Sequence, residues 1–229
     1  MNFQDKIILI TGASRGIGKY AARKLSDLGA KVIGIYNDTI ISFDIDAFKC
    51  DLGNEEEIKK LFKYIKDKYG VLDYVINCAA ISKDNDIVDK TKEEFMKVLE
   101  INLVGTFLIC KYALEMMEKG AIINMSSTNA STTYNILSMD YDASKAGIEN
   151  LTKNLAERYP DIKICALAPN WVDTESVIEM DPEYLQNELK RVNQKRLLTK
   201  AEVANKIIEI ISSDDINSGE IIRMEDYNE

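Results

Sequence analysis

The sequence predicts a doubly wound α/β fold, a single parallel sheet with helices on both faces. Three observations predict it. Short apolar runs alternate with longer amphipathic stretches along the whole chain, the order that strand-helix-strand crossovers require. The apolar runs are continuous, as in strands buried on both faces. The first of them passes through a glycine-rich turn directly into a helical pattern, the arrangement of a nucleotide-binding unit. With 229 residues, 46% of them hydrophobic, the chain can bury one full core and is read as one domain over residues 1–229.

The first strand is Lys6-Ile7-Ile8-Leu9-Ile10, too short an apolar run for a helix of its own. Thr11-Gly12-Ala13-Ser14-Arg15-Gly16-Ile17-Gly18 follows, then a helical pattern over 19–28 and a stop at Gly29. Such a turn lets backbone N–H groups approach a pyrophosphate at the positive end of a helix, where larger side chains at the glycines would clash. Its spacing is neither G-x-G-x-x-G nor a Walker loop. In the register that puts Gly18-Lys19 at the G-K, Ala13 replaces the first glycine and Tyr20 the magnesium-binding Ser/Thr, which argues against a nucleoside triphosphatase.

Lys31-Val32-Ile33-Gly34-Ile35-Tyr36 predicts the second strand, and residues 37–48, with little helical periodicity, a shortened crossover before a brief strand ending at Cys50-Asp51. Asn54 is placed to cap a helix over 55–68, with Glu55, Glu56 and Glu57 at its positive end. A strand over 72–77 ends in Cys78-Ala79-Ala80, small residues where backbone can pass close to a ligand. The helical region 92–118 carries Asn102 and Gly105 at its middle. Both are poor interior helix residues, so either the helix bends there or Asn102 has a purpose. A strand over 121–125 runs into Ser126-Ser127-Thr128, and a helix over 139–159 leads to a strand over 163–168 stopped by Pro169-Asn170. A mobile helical segment over 174–195, a helix capped by Thr199 and running to 211, and a short strand over 219–223 complete the order.

Charge and composition narrow the function. A net charge of −9 argues against nucleic acid or an anionic membrane as partner, since both reward basic patches. No basic-then-apolar leader and no membrane-spanning apolar run is visible, which predicts a cytoplasmic protein. Cys50, Cys78, Cys110 and Cys165 stand far apart beside apolar residues and read as buried free thiols, not as ligands of a metal. The chain has no histidine, which removes Ser-His and Cys-His mechanisms and leaves acid–base work to tyrosine, lysine or carboxylates. Tyr141 and Lys145 lie four residues apart in a helical run and so share a face. A phenol titrates near pH ~10, and a neighbouring cation would lower that value and make the tyrosine a usable acid or base.

Taken jointly, Thr11-Gly-x-x-x-Gly16-x-Gly18, Asp51, Asn77-x-Ala79, Asn102, Ser127 and Tyr141-x-x-x-Lys145 resemble the short-chain dehydrogenase/reductases, with a length and layout similar to the 3-oxoacyl-acyl-carrier-protein reductase group. The resemblance runs over about 6–223 and implies a Rossmann-type sheet and hydride transfer between a nicotinamide cofactor and a small-molecule carbonyl or alcohol. It implies that Tyr141 is the proton donor or acceptor and that Ser127, in preference to Ser126, hydrogen-bonds the reacting oxygen. Lys145 would bind the nicotinamide ribose and lower the tyrosine pKa, and Asn102 would hold a relay water. The cofactor would be held by Gly12, Ser14, Arg15, Gly16, Ile17, Gly18, Tyr36, Asp51, Leu52, Asn77, Ala79, Tyr141, Lys145, Pro169, Val172 and Thr174. Two other uses of the fold stay open, a cofactor-sensing binding protein without chemistry and a hydratase or epimerase.

The sequence departs from the family at Ala80 and Asn170, where glycine is usual, and in a tail, 224–229, without glycines. That tail puts the usual contact through the last strand in doubt, and a homodimer or homotetramer through the two long helices is expected instead. Enzymes selecting NAD place an acid at the end of the second strand, where it repels a 2′-phosphate. Tyr36 stands there, the first acid, Asp38, comes two residues late, and Arg15 lies in the glycine turn, where a guanidinium suits a 2′-phosphate. NADP(H) is therefore expected over NAD(H), with Asp38 or Asp44 able to fold back over the ribose. The substrate wall is expected from Asn135, Ile136, Leu137, Trp171, Val177 and Ile178.

Overall fold

The computed structural model describes residues 3–225. Its strands are β1 (Ile7–Thr11), β2 (Lys31–Tyr36), β3 (Asp46–Lys49), β4 (Tyr74–Asn77), β5 (Gly120–Met125), β6 (Ile162–Pro169) and β7 (Ile221–Met224). Its helices are α1 (Gly16–Asp27), α2 (Glu55–Tyr69), α3 (Lys92–Leu99), α4 (Gly105–Leu114), α5 (Met139–Arg158), α6 (Glu175–Ile178), α7 (Pro182–Arg191) and α8 (Lys200–Ser212). The strands form one sheet in the order β3-β2-β1-β4-β5-β6-β7, every pair parallel.

All five residues of β1 are buried, because both faces of the sheet are covered. On one side Leu25 of α1 and Val203 and Ile207 of α8 pack with Ile10 and Ile123. On the other, Leu61 and Ile65 of α2 and Ile109 of α4 pack with Leu9 and Ile122. β1 pairs with β2 on one edge and β4 on the other, so the winding reverses there and a crevice opens beyond the carboxyl ends of β1 and β4.

Local signals hold where they were strongest. Asn54 accepts from the N–H groups of Glu56 and Glu57, and Thr199 forms a reciprocal capping box with Glu202. Residues 37–45 form no helix. A Cβ on Gly34 would stand 2.6 Å from Ile45 Cδ1 and 2.7 Å from Ile41 Cδ1, so this crossover packs directly on β2. The region 92–118 divides into α3, a π-helical turn at Glu100–Val104 and α4, which ends at Leu114, short of 118. The segment 174–195 holds two short helices, the second started by Pro182 and capped by Asp181. The last strand is Ile221–Met224, and residues 226–229 of the glycine-free tail lie outside the described residues. Among the described residues no helix is long and apolar enough to cross a membrane.

Candidate active site

The glycine turn is held open by close packing. Gly12 has φ +67°, and a Cβ there would lie 2.9 Å from Ala79 Cα, while Thr11 Oγ1 accepts from Ala79 N at 3.1 Å. The ends of β1 and β4 are thus stitched together at the point where the winding reverses. A Cβ on Gly18 would meet Gly12 O at 2.3 Å, so α1 can start this close to β1 only with glycine. The result is a cleft of about 620 Å³.

Ser127, Tyr141 and Lys145 line that same cleft. α5 carries the last two on one face, and its first turn is fixed by a buried ion pair. Lys90 Nζ lies 2.8 Å from Asp140 Oδ2, with both side chains almost fully buried, and Tyr141 N donates to Asp140 Oδ1 at 2.9 Å. Lys145 Nζ donates to Met125 O at 2.7 Å and stands 5.3 Å from the centre of the Tyr141 ring. Burial brings the Lys145 ammonium down to about 8.

The lowering expected for Tyr141 does not follow. Burial pushes its phenol up to about 12, against the pull of a hydrogen bond with Ser127 and with Asp142 and Asp84 adding to the rise. Lys145 is a neighbour, but its ammonium donates to the Met125 carbonyl, and burial of the phenol is the largest influence on Tyr141. The two adjacent serines separate cleanly. Ser126 Oγ donates to Lys145 O and Glu149 Oε1 in the interior, whereas Ser127 Oγ accepts from Asn129 N and meets the Tyr141 hydroxyl.

Of the residues expected at the site, all but Asn77 and Asn102 line the cleft. Asn77 is buried and donates to Asn124 Oδ1 at 2.9 Å, and Asn124 in turn donates to Thr152 Oγ1 at 3.0 Å. It ties β4 to β5 and α5, so its side chain is engaged in the core at the carboxyl end of β4. Asn102 sits in the π-helical turn. Its amide accepts from Ile81 N at 2.9 Å and donates to Ile81 O at 2.9 Å and Ser144 Oγ at 3.1 Å. Both amide protons are engaged within the protein, so a water held by Asn102 would donate to one of its oxygens. Ser144 Oγ donates to Tyr141 O at 2.7 Å, so Asn102 acts on the site by holding residue 81 against the first turn of α5.

In the expected substrate wall, Asn135, Trp171 and Val177 line the cleft. Ile136 and Ile178 are 83% and 61% exposed and, with Leu137, are not among the residues that line the cleft. Asp38 lines the cleft beside Tyr36 and Arg15, and Asp44 does not. Two residues carry no signal in the sequence: Asp84, which joins the wall near Tyr141, and Glu175, whose Oε2 accepts from Gly16 N at 2.9 Å. Cys78, read as a packing residue, also faces the cleft, its thiol raised to about 12 by burial.

A nicotinamide dinucleotide fits these residues. The turn packs so closely that no Cβ is tolerated at Gly12 or Gly18, which leaves its backbone at the positive end of α1, and a lysine and a tyrosine lie further along the same cleft.

The comparisons with known proteins agree with this geometry. The family model described as enoyl-(acyl carrier protein) reductase matches residues 12–224. The chain is 33% identical over 220 residues to a 3-oxoacyl-[acyl-carrier-protein] reductase of Vibrio cholerae, covering 90% of each. It is 32% identical over 221 residues to carbonyl reductase family member 4 of Xenopus laevis, covering 91% of this chain and 92% of the relative. Among solved structures, the aldohexose dehydrogenase of Thermoplasma acidophilum superposes with a TM-score of 0.87 at 26% identity, over 97% of this chain and 93% of that one. Sequence, sheet order and cleft converge on one assignment: the chain belongs to the short-chain dehydrogenase/reductases and is an oxidoreductase.

Proposed function

We propose that this protein reduces a small-molecule carbonyl, a ketone or 3-oxoacyl compound, with NADPH preferred over NADH, and that residues 1–229 work as a single nucleotide-binding and catalytic domain. One observation carries the reading: Ser127, Tyr141 and Lys145 line the cleft that begins at the glycine turn. A reduced nicotinamide bound there would supply the hydride. The remaining work falls to the chain. Tyr141, with its pKa near 12, keeps its proton across the neutral range and offers it to the oxygen that becomes an alkoxide as hydride reaches the carbon. Ser127, on the same hydroxyl, donates a second hydrogen bond to that oxygen. Lys145, charged below about pH 8, stabilises the tyrosinate left behind. Hydride to carbon and proton to oxygen balance as the alcohol.

The preference for NADPH is supported by Arg15 and by the absence of a carboxylate at Tyr36, with Asp38 on the same wall as the opposing charge. Names of relatives, a 3-oxoacyl reductase and a carbonyl reductase, support the substrate class. We place the enzyme in the cytoplasm as a homodimer or homotetramer joined through α4 and α5, a reading that the exposed Val104 and Phe107 support. Reduced-nicotinamide absorbance, followed with a panel of ketones and 3-oxoacyl thioesters, tests the function. Tyr141→Phe should lose a factor of about 10² or more in turnover and keep its cofactor affinity. Tight cofactor binding with no turnover on any compound would replace this reading with a cofactor sensor.

A further inference from the structure

The segment that follows β6 leaves the fold and returns to the place it left. Val172 bridges to Leu198, Asp173 N donates to Leu198 O at 2.9 Å and Leu198 N to Trp171 O at 2.9 Å. Gln194 holds Trp171 at both backbone atoms, accepting from N at 3.0 Å and donating to O at 2.8 Å. Between these stitches α6 and α7 bury no residue and the buried Val192 lies just beyond α7, so little packing opposes movement of α6. Two side chains of the segment reach back to the body of the fold. Arg191 Nη1 donates to Thr133 O at 2.9 Å, and Glu175 Oε2 accepts from Gly16 N at 2.9 Å.

The second contact joins residues 159 positions apart at a particular atom. Gly16 N–H is the first donor of α1, a helix with no side-chain cap of its own and no acid in its first turn. Glu175 supplies the negative charge that this positive end attracts. Although partial burial works against ionisation, bonds from its own backbone and Gly16, with Lys200 and Lys19 nearby, hold its carboxyl below the usual range. It is an anion at neutral pH, bound to the turn that suits a diphosphate. Thr174 lies equally close, its Cγ2 3.5 Å from a Cβ built on Gly16. One N–H cannot serve both anions, and like charges here repel.

We propose that Glu175 is a carboxylate latch that competes with the cofactor's diphosphate for the Gly16 N–H, so that α6 is held against the glycine turn until the cofactor displaces the carboxylate. This rests on the reading of the glycine turn as the cofactor cradle. The latch makes cofactor association wait on release of α6 and weakens cofactor affinity by the strength of the contact that must be given up.

Trp171, the one tryptophan of the chain, lines the cleft at the base of the segment and reports the event. Stopped-flow tryptophan fluorescence with NADPH and NADH as probes, on the full-length parent, Glu175→Gln and Glu175→Ala, is the test. Glu175→Ala should bind both nucleotides about tenfold more tightly, with faster association. Glu175→Gln keeps an acceptor without the charge and should fall between. Glu179→Gln, at an exposed acid one turn along, should match the parent, and equal tightening there would overturn the latch in favour of general charge. Unchanged or weaker binding in both Glu175 variants overturns the latch and leaves the cradle intact. Failure of the parent and every variant to bind either nucleotide overturns both.

Discussion

Replacing Lys145 by methionine should make the protein more stable while disabling it. The ammonium is 2% exposed, and burial brings its pKa from the ordinary 10.5 to about 8. Between those values the unfolded chain binds a proton that the folded chain has released, so stability rises with pH through this window and the full cost is borne below pH 8. At ~1.4 kcal/mol per pH unit, the cost is roughly 3 kcal/mol at pH 7 and falls to about 1.5 kcal/mol at pH 9.5. Methionine has similar length and carries no charge, but it gives up the bond to Met125 O, which returns about 1 kcal/mol. Lys145→Met should therefore gain about 2 kcal/mol at pH 7, or roughly 4–8 °C in Tm for a chain of this size, and close to nothing at pH 9.5. Urea unfolding at both pH values measures this. A variant less stable than the parent at pH 7, or an advantage that does not shrink with rising pH, would show that Lys145 is not held in the protein as a costly buried cation.

Three further outcomes can be checked directly. The parent should show kcat/KM at least about tenfold higher with NADPH than NADH, and Arg15→Ala should erase most of that difference by weakening NADPH; an unchanged preference removes Arg15 from the 2′-phosphate. Gly120 has φ +118°, and its Cβ would stand 1.9 Å from Asp73 O, so Gly120→Ala should cost about 3 kcal/mol or more. Gly70→Ala, with φ +71° but nothing within 4 Å, should cost only about 1 kcal/mol, and equal denaturant midpoints would refute the steric argument. Asp140→Asn leaves Lys90 buried without its counter-charge and should cost about 3–5 kcal/mol. In thermal melts the double variant Lys90→Met/Asp140→Leu should recover most of it.

How far the sequence could be read depends on the distance over which each residue finds its partner. The cap at Asn54, the box at Thr199 and the buried run of β1 are decided within a few positions, and each stands where the spacing puts it. Asn102 is different: its side chain answers Ile81 and Ser144, 21 and 42 positions away, so the sequence could mark it as out of place in a helix but could not say what it holds. Asn77, bonded to Asn124 across 47 positions, carries the family pattern and still belongs to the core. The Tyr141 and Lys145 pair makes the limit sharper. Spacing of four residues fixes adjacency, and adjacency alone predicts that the cation lowers the phenol. Burial is a property of the assembled cleft, and it reverses the sign: it raises the phenol to about 12 and draws the ammonium down to about 8. The tyrosine that results keeps its proton across the neutral range. The sign of both shifts comes from the fold around the motif, which the spacing of the pair does not carry.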